Sequence, residues 1–499
     1  FSNIISKLTD NNHISINQID TKKYNFLIHW DKISYKFHLG KIPIGIKLSR
    51  KNYQRLKNFF ESIVCKLFSL DLKPNENKKM ILIVEFNTLQ YSELFENLKN
   101  YEGVVSLLDY RRPSFWNMDS LNFLRKSNCK LIRMENFLNA SDKKLISDLV
   151  IGYLEKLERL RTDSYLENKF TVEGITIWPF LKEILIEIFR KRMYEYLLLI
   201  LFSKKILTKT NVSCILTLSL DGETEKAILN LNKNSKPSIL LEHGFTNYLP
   251  EISRFDITSG LSIFKDKIAV WGDIQKQYLV NVLKTPEKKI LVVGSPRHDK
   301  FFREIISTKK DSVRTVLIIP GIFAPSNAQF STFSYLRLEN LLKRTFKIFE
   351  SFKNVKLIVK LHPSQYIETE YIKKLINQSN PDIMIYHTKP IQKILEDCDT
   401  VLNIHTEVLP STAVLDALVM GKPVMNISLV DENYNFQFIK DNAVMQITYK
   451  SDLEKNLKTI LYDENFRKEL IENAQKHLQS YLSNHGKASK HFAEILNSL

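Results

Sequence analysis

From Met80 onward the chain alternates short apolar runs with helical segments, and no other feature restricts the fold as much. MILIVEF, VVSLLDY and KLIRM are separated by the helical stretches YSELFENLKNY and LNFLRKS. A long helical region follows, including Pro179 to Lys205, and the rhythm then resumes with CILTLSL, SILLEHG and KIAVWG. A second run covers KILVVGS, TVLIIPG, VKLIVKLHP, IMIYHT, TVLNIH, PVMNISL and AVMQITY. Continuous apolar strands between helices read as a parallel sheet covered on both faces. Two such runs predict an α/β chain with two Rossmann-like domains. The expected limits are an N-terminal α/β extension over 1–77, a first domain with a helical insertion over 78–265, and a second domain with terminal helices over 266–499.

At 499 residues the length suits about three domains, or two large ones plus an extension. The net charge of +17 raises nucleic acid and anionic membrane as partners. No RNA-binding signature or Cys/His zinc spacing accompanies it, so no nucleic-acid partner is expected. The basic surface fits phosphate-bearing substrates or a membrane surface. The four cysteines are far apart and form no CxxC, which suits buried free thiols in a reducing cytosol. No apolar run approaches the ~18 residues of a membrane span. A cytoplasmic protein is expected, with peripheral attachment to the inner face of the cell membrane as an option. The stretch Pro179 to Lys205 interleaves apolar residues with Lys and Arg. It reads as a core-packed helix with a solvated face, or as an amphipathic membrane-surface helix.

In open α/β sheets ligands bind beyond the carboxyl ends of the strands. The polar residues there are Asp221, Gly222 and Glu223; Glu242, His243 and Gly244; Gly294, Ser295, Arg297, His298 and Asp299; Lys360, His362 and Ser364; and His405, Thr406, Glu407, Ser411 and Thr412. Singly, each has a dull reading as a helix cap, a loop histidine or a surface ion pair. Their recurrence at strand ends points to a site. Ser411-Thr412 opens a short helix that ends at Gly421, and such a helix start is suited to an anion.

The combination of K-x-H-P (Lys360, His362, Pro363), a later Ser/Thr pair with an acid, G-x-P-R-x-D (Gly294 to Asp299) and H-G (His243, Gly244) resembles the GT-B glycosyltransferases. The nearest groups are the CDP-glycerol glycerophosphotransferases of teichoic-acid synthesis and the CMP-sugar-using sialyl-, polysialyl- and Kdo-type transferases. The resemblance covers residues 200–430. It implies two Rossmann-like domains facing a central cleft, with donor nucleotide held mainly by the second. It further implies that His362, Ser411 and Thr412 bind the nucleotide phosphate, with Lys360, Arg297 and Ser364 adding to that site. Asp416, which shares a helix face with Thr412, would orient the phosphate-binding hydroxyl or lie near the ribose, and Glu407 would bind the ribose or base, with a structural role the alternative for both. With no D-x-D motif, neither metal nor cofactor is expected.

Bacterial sialyl- and polysialyltransferases carry a D/E-D/E-G motif, and here Leu220 stands where its first acid would be. Asp221 is the expected base, His243 the rival and Glu223 a lesser candidate. DYRRPSFWN offers Arg111, Arg112 and Trp116 to an anionic or sugar acceptor by pairing and stacking. The loop Gly321 to Ser331 would suit a donor-site lid. The expected function is a metal-independent, inverting transfer from a CMP-activated acidic sugar to a surface glycan or lipid-linked acceptor. The alternatives are a CDP-glycerol-type or UDP-sugar transferase, a UDP-sugar 2-epimerase-like enzyme, or a non-catalytic glycan-binding scaffold. The acidic cluster usual in the epimerases is not recognisable in the sequence.

Overall fold

The computed structural model describes residues 32–39, 42–74, 78–172, 174–233, 235–245, 261–303, 313–321, 332–362, 367–387, 389–405, 411–429, 431 and 436–499. These fall into two compact units, one within 1–85, 103–213 and 221–235, the other within 86–102, 214–220 and 236–499. All thirteen apolar runs from Met80 onward form strands. They are β1 (Met80–Val84), β2 (Val104–Leu108), β3 (Lys130–Leu131), β4 (Val212–Thr217), β5 (Ser238–Leu241), β6 (Lys267–Val270) and β7 (Ile290–Val292). Then follow β8 (Arg314–Ile319), β9 (Val355–Lys360), β10 (Met384–Tyr386), β11 (Thr400–His405), β12 (Val424–Ser428) and β13 (Met445–Thr448).

The first seven make one sheet in the order β7-β6-β5-β4-β1-β2-β3, and the other six make a second in the order β10-β9-β8-β11-β12-β13. The resolved pairings within both sheets are parallel. Both orders run outward from the middle and reverse once, the doubly wound Rossmann-like arrangement. One correction concerns KILVVGS. As β7 it pairs with β6 in the first sheet, in register Ile268 with Ile290, and does not open the second run. The first sheet therefore continues past residue 265.

The burial pattern explains why these runs are strands. On β8, Val316 and Ile318 join one core, while Leu317 and Ile319 join the core on the opposite face. Alternate residues bury on opposite faces, so a strand covered on both sides must be apolar throughout. The N-terminal extension is a hairpin (Lys32–Leu39 with Ile42–Ser49) and a helix, Arg50–Phe68. It leads directly to the sheet: the Leu72 N–H donates to the Leu131 carbonyl, and the Leu131 N–H donates to that of Leu70. All four cysteines are buried and free.

Candidate functional site

Within the six-stranded sheet the strand order reverses between β8 and β11, the place where open α/β sheets bind ligands. Ser411 caps the helix Thr412–Val419 that follows β11, its hydroxyl accepting from the Ala413 N–H at 3.3 Å. The Thr412 hydroxyl accepts from the Phe245 N–H, also at 3.3 Å, and so ties the His243-Gly244 loop after β5 to the helix start. Each hydroxyl uses a lone pair on backbone and keeps its proton to donate. Ser364, Glu407 and all of the expected lid except Gly321 lie outside the described residues.

The G-x-P-R-x-D stretch forms a clamp beneath that helix. Arg297 holds the buried Asp416 carboxylate through both oxygens, at 3.2 and 3.3 Å, and reaches the His243 carbonyl at 3.5 Å. His298, fully buried, lies 2.9 Å from Asp416 through Nε2 and 2.6 Å from the Ser295 hydroxyl through Nδ1. The connectivity is that of a hydrolytic triad, but Ser295 is buried and the relay lies in the interior. Burial alone would raise the Asp416 pKa; Arg297 and the hydrogen bond with His298 outweigh it and hold the carboxyl below its usual range. Asp299 accepts the N–H groups of Ala488 and Ser489 and so caps the helix Ala488–Asn497. Arg297 and Asp416 thus hold each other.

Gly294 explains its own place in the motif. Its φ is +85°, and a Cβ there would stand 2.2 Å from the Ser483 carbonyl oxygen. Backbone cannot retreat as a side-chain tip can, so Gly294→Ala should cost about 3 kcal/mol from strain and overpacking together. Urea unfolding of the purified variant measures this; a loss below about 1 kcal/mol would contradict the packing.

Lys360 is buried and donates to the carbonyls of Leu361 (2.7 Å) and His387 (2.8 Å). Burial pulls its pKa down to about 8. The His362 carbonyl accepts from His387 Nε2 at 3.1 Å with that ring nitrogen protonated, and His362 itself is exposed. Lys360 is therefore committed to shaping the loop after β9.

Two buried histidines set an acid limit. Burial holds His298 and His477 below the ordinary histidine range, despite the opposing pull of Asp416 and Asp441 respectively. Both rings stay neutral in the fold at pH values where an unfolded histidine takes up a proton. Stability should therefore fall as pH drops below 6.5 toward the folded values, by up to about 1.4 kcal/mol per pH unit for each ring. Urea midpoints between pH 7.5 and pH 5.5 test it, and a flat profile would count against it.

Asp221 and Glu223 follow β4, and Arg111, Arg112 and Trp116 follow β2. The Asp221 side chain is 96% exposed, with Lys226 at 3.7 Å. Glu223 is paired with both Arg50 and Arg192. Arg111, expected on the acceptor, is held by the buried Glu225 at 2.5 Å and by Glu85 at 3.5 Å. Arg112 and Trp116 are exposed, with Arg112 lying 3.5 Å from Glu85.

The sequence reading missed an acidic cluster here. Glu85, just past β1, sits in left-handed backbone (φ +58°) and accepts from the N–H groups of Tyr110 and Arg111 and from the Thr224 hydroxyl. Asp109, just past β2, is buried, and neither carboxyl oxygen has a hydrogen bond. Burial, then the charge of Glu85, pushes its pKa well up. Glu225 is likewise raised by burial, against the pull of Arg111. Searching MILIVEF and VVSLLDY for polar residues after the strand would have found Glu85 and Asp109. Among the described residues no group of three or more His, Cys, Asp or Glu is arranged to hold a metal. No helix among them is long and apolar enough to cross a membrane.

No protein-family model matches this chain, and no curated protein matches it. Among solved structures, UDP-GlcNAc 2-epimerase from Neisseria meningitidis bound to UDP-GlcNAc aligns with 84% of this chain and 100% of its own, at 13% identity and a TM-score of 0.48. The wall teichoic acid polymerase TagF aligns with 90% of this chain and 97% of its own, at 10% identity and a TM-score of 0.43. MurG from Acinetobacter baumannii aligns with 85% and 100%, at 13% identity and a TM-score of 0.39. At such identities the likeness is one of chain course, and any assignment of chemistry rests on the side chains above.

Proposed function

We propose that this chain is a nucleotide-sugar glycosyltransferase of the GT-B kind, using a CMP-activated acidic sugar and a glycan or lipid-linked acceptor. The observation that carries the reading is the Ser411-Thr412 helix start, placed just after β11 where the order of the six-stranded sheet reverses. Positive helix ends at such points favour phosphate. In this reading the two hydroxyls, the helix N-terminus and His362 bind the donor phosphate. Arg297 and Lys360 become positioning residues, because Asp416 and backbone carbonyls occupy them.

The base is His243, since its loop is joined to Thr412 and Arg297 in one frame. It takes the proton of the acceptor hydroxyl as that oxygen bonds to the anomeric carbon. The bond from that carbon to the phosphate oxygen breaks with inversion, and the departing nucleotide keeps the electron pair. Charge growing on the phosphate is met by dipoles already in place. Arg112 and Trp116 keep their acceptor role in this proposal.

The acidic cluster supports a second reading. Glu85, Asp109 and Glu225 supply the carboxyl groups that an epimerase-like enzyme would use for proton transfer at a sugar carbon. The two readings part on products. Incubation with CMP-, UDP-, CDP- and GDP-sugars and a glycan acceptor should release free nucleotide in step with glycosylated product. Intact nucleotide bearing a sugar altered at C2 would establish the epimerase instead, and binding without turnover would establish the scaffold.

A further inference from the structure

The helix Arg50–Phe68 is amphipathic the wrong way round for a soluble surface. Its buried side carries Lys57, Glu61 and Cys65, one per turn. Its outward side carries Leu56, Phe59, Phe60, Ile63 and Leu67, with both phenylalanines 60% exposed and Leu67 71% exposed. Spacings of three and four residues put these five on one continuous stripe.

The orientation is fixed by polar contacts. Lys57 donates to the carbonyls of Asp109 (2.6 Å) and Tyr110 (3.2 Å), and Glu61 accepts the Ser114 N–H at 2.9 Å. Ser49 caps the first turn, and Lys130 donates to the Ser69 carbonyl beyond the last. Rotating the helix to hide the stripe would break the contacts of Lys57 and Glu61 and bury apolar groups against charged ones.

We propose that this stripe docks on an anionic lipid bilayer, lying in the headgroup region without spanning it. Charge selects this occupant. Lys51, Arg55 and Lys66 are exposed along one edge of the stripe, and Glu61, the helix's one acid, faces inward. A helix with an aromatic apolar face and basic flanks suits the negatively charged interface of a membrane. The stretch Pro179 to Lys205, for which a membrane-surface helix is one of two readings, does not have this form. In the helix Trp178–Lys209, Glu183 pairs with Arg161, and Glu187 pairs with Arg190 and Lys191, as on an ordinary solvated surface. The proposal is independent of the transferase reading.

The test is co-sedimentation of the whole chain with phosphatidylcholine vesicles, with and without phosphatidylglycerol. Binding is expected only with phosphatidylglycerol present. Phe59→Ser with Phe60→Ser leaves every charge in place and should lower the partition coefficient at least tenfold, with the circular dichroism spectrum unchanged. Replacing Lys51, Arg55 and Lys66 by Gln should lower it on the order of a hundredfold, at about fivefold per charge. A chain that ignores anionic vesicles, or a double-serine variant that binds as the parent does, overturns the proposal. So does a double-serine variant that turns a dimer into a monomer, because the stripe would then belong to a second copy.

Discussion

Asp416→Ala should destabilise the protein by about 3–5 kcal/mol, the largest loss expected from any single substitution here. The carboxylate is buried, and three contacts converge on it: two from Arg297 at 3.2 and 3.3 Å and one from His298 at 2.9 Å. Its removal leaves a nearly enclosed guanidinium without a counter-charge and a buried imidazole without its partner. Asp416→Asn keeps the shape and an acceptor for His298, and should lose less. Arg297→Met combined with Asp416→Leu should recover much of the loss, because well-packed apolar residues replace a buried ion pair at little cost. Urea unfolding of the three variants decides it. An Asp416→Ala loss under 1 kcal/mol, or a double variant worse than the single, would show that the clamp does not hold the helix Thr412–Val419.

His243→Gln should lower kcat by about 10²–10⁴, the usual contribution of a general base, and leave nucleotide affinity within a few-fold. The split between the two quantities distinguishes proton transfer from binding. The His243 carbonyl faces Arg297 and the adjoining Phe245 N–H faces Thr412, so the ring is carried by the frame that holds the donor phosphate in this account. Asp221→Asn should leave kcat within about threefold, since its carboxylate stands in solvent, 3.7 Å from Lys226. If Asp221→Asn abolishes transfer and His243→Gln does not, the base moves to the position first favoured from sequence.

The sheets were legible because their physics is local. Strands covered on both faces need unbroken apolar runs, and each of the thirteen runs read that way became a strand, while YLLLILF (Tyr196 to Phe202) stayed within the helix Trp178–Lys209. Which sheet a strand joins is not local, which is why KILVVGS was placed with the wrong partners. At the site, the helix start at Ser411-Thr412 could be read because a cap has a short-range signature. What Arg297 and Asp416 do could not, because each is defined by the other across a long stretch of sequence. The pairing of Arg111 could not be read for the same reason: its partners Glu85 and Glu225 lie after two other strands. Gly294 appeared as a motif letter, and only the Ser483 carbonyl beside it gives the reason.

The central claim is that donor phosphate binds at the start of the helix Thr412–Val419, and Ser411→Asp addresses it most directly. Aspartate caps a helix as well as serine does, so the fold and its stability should be unchanged. Its charge, however, stands where the phosphate would lie. Calorimetric titration with CMP should show the wild-type chain binding and the variant weakened at least about a hundredfold, with equal unfolding midpoints. Equal CMP affinity in the two proteins would contradict the claim.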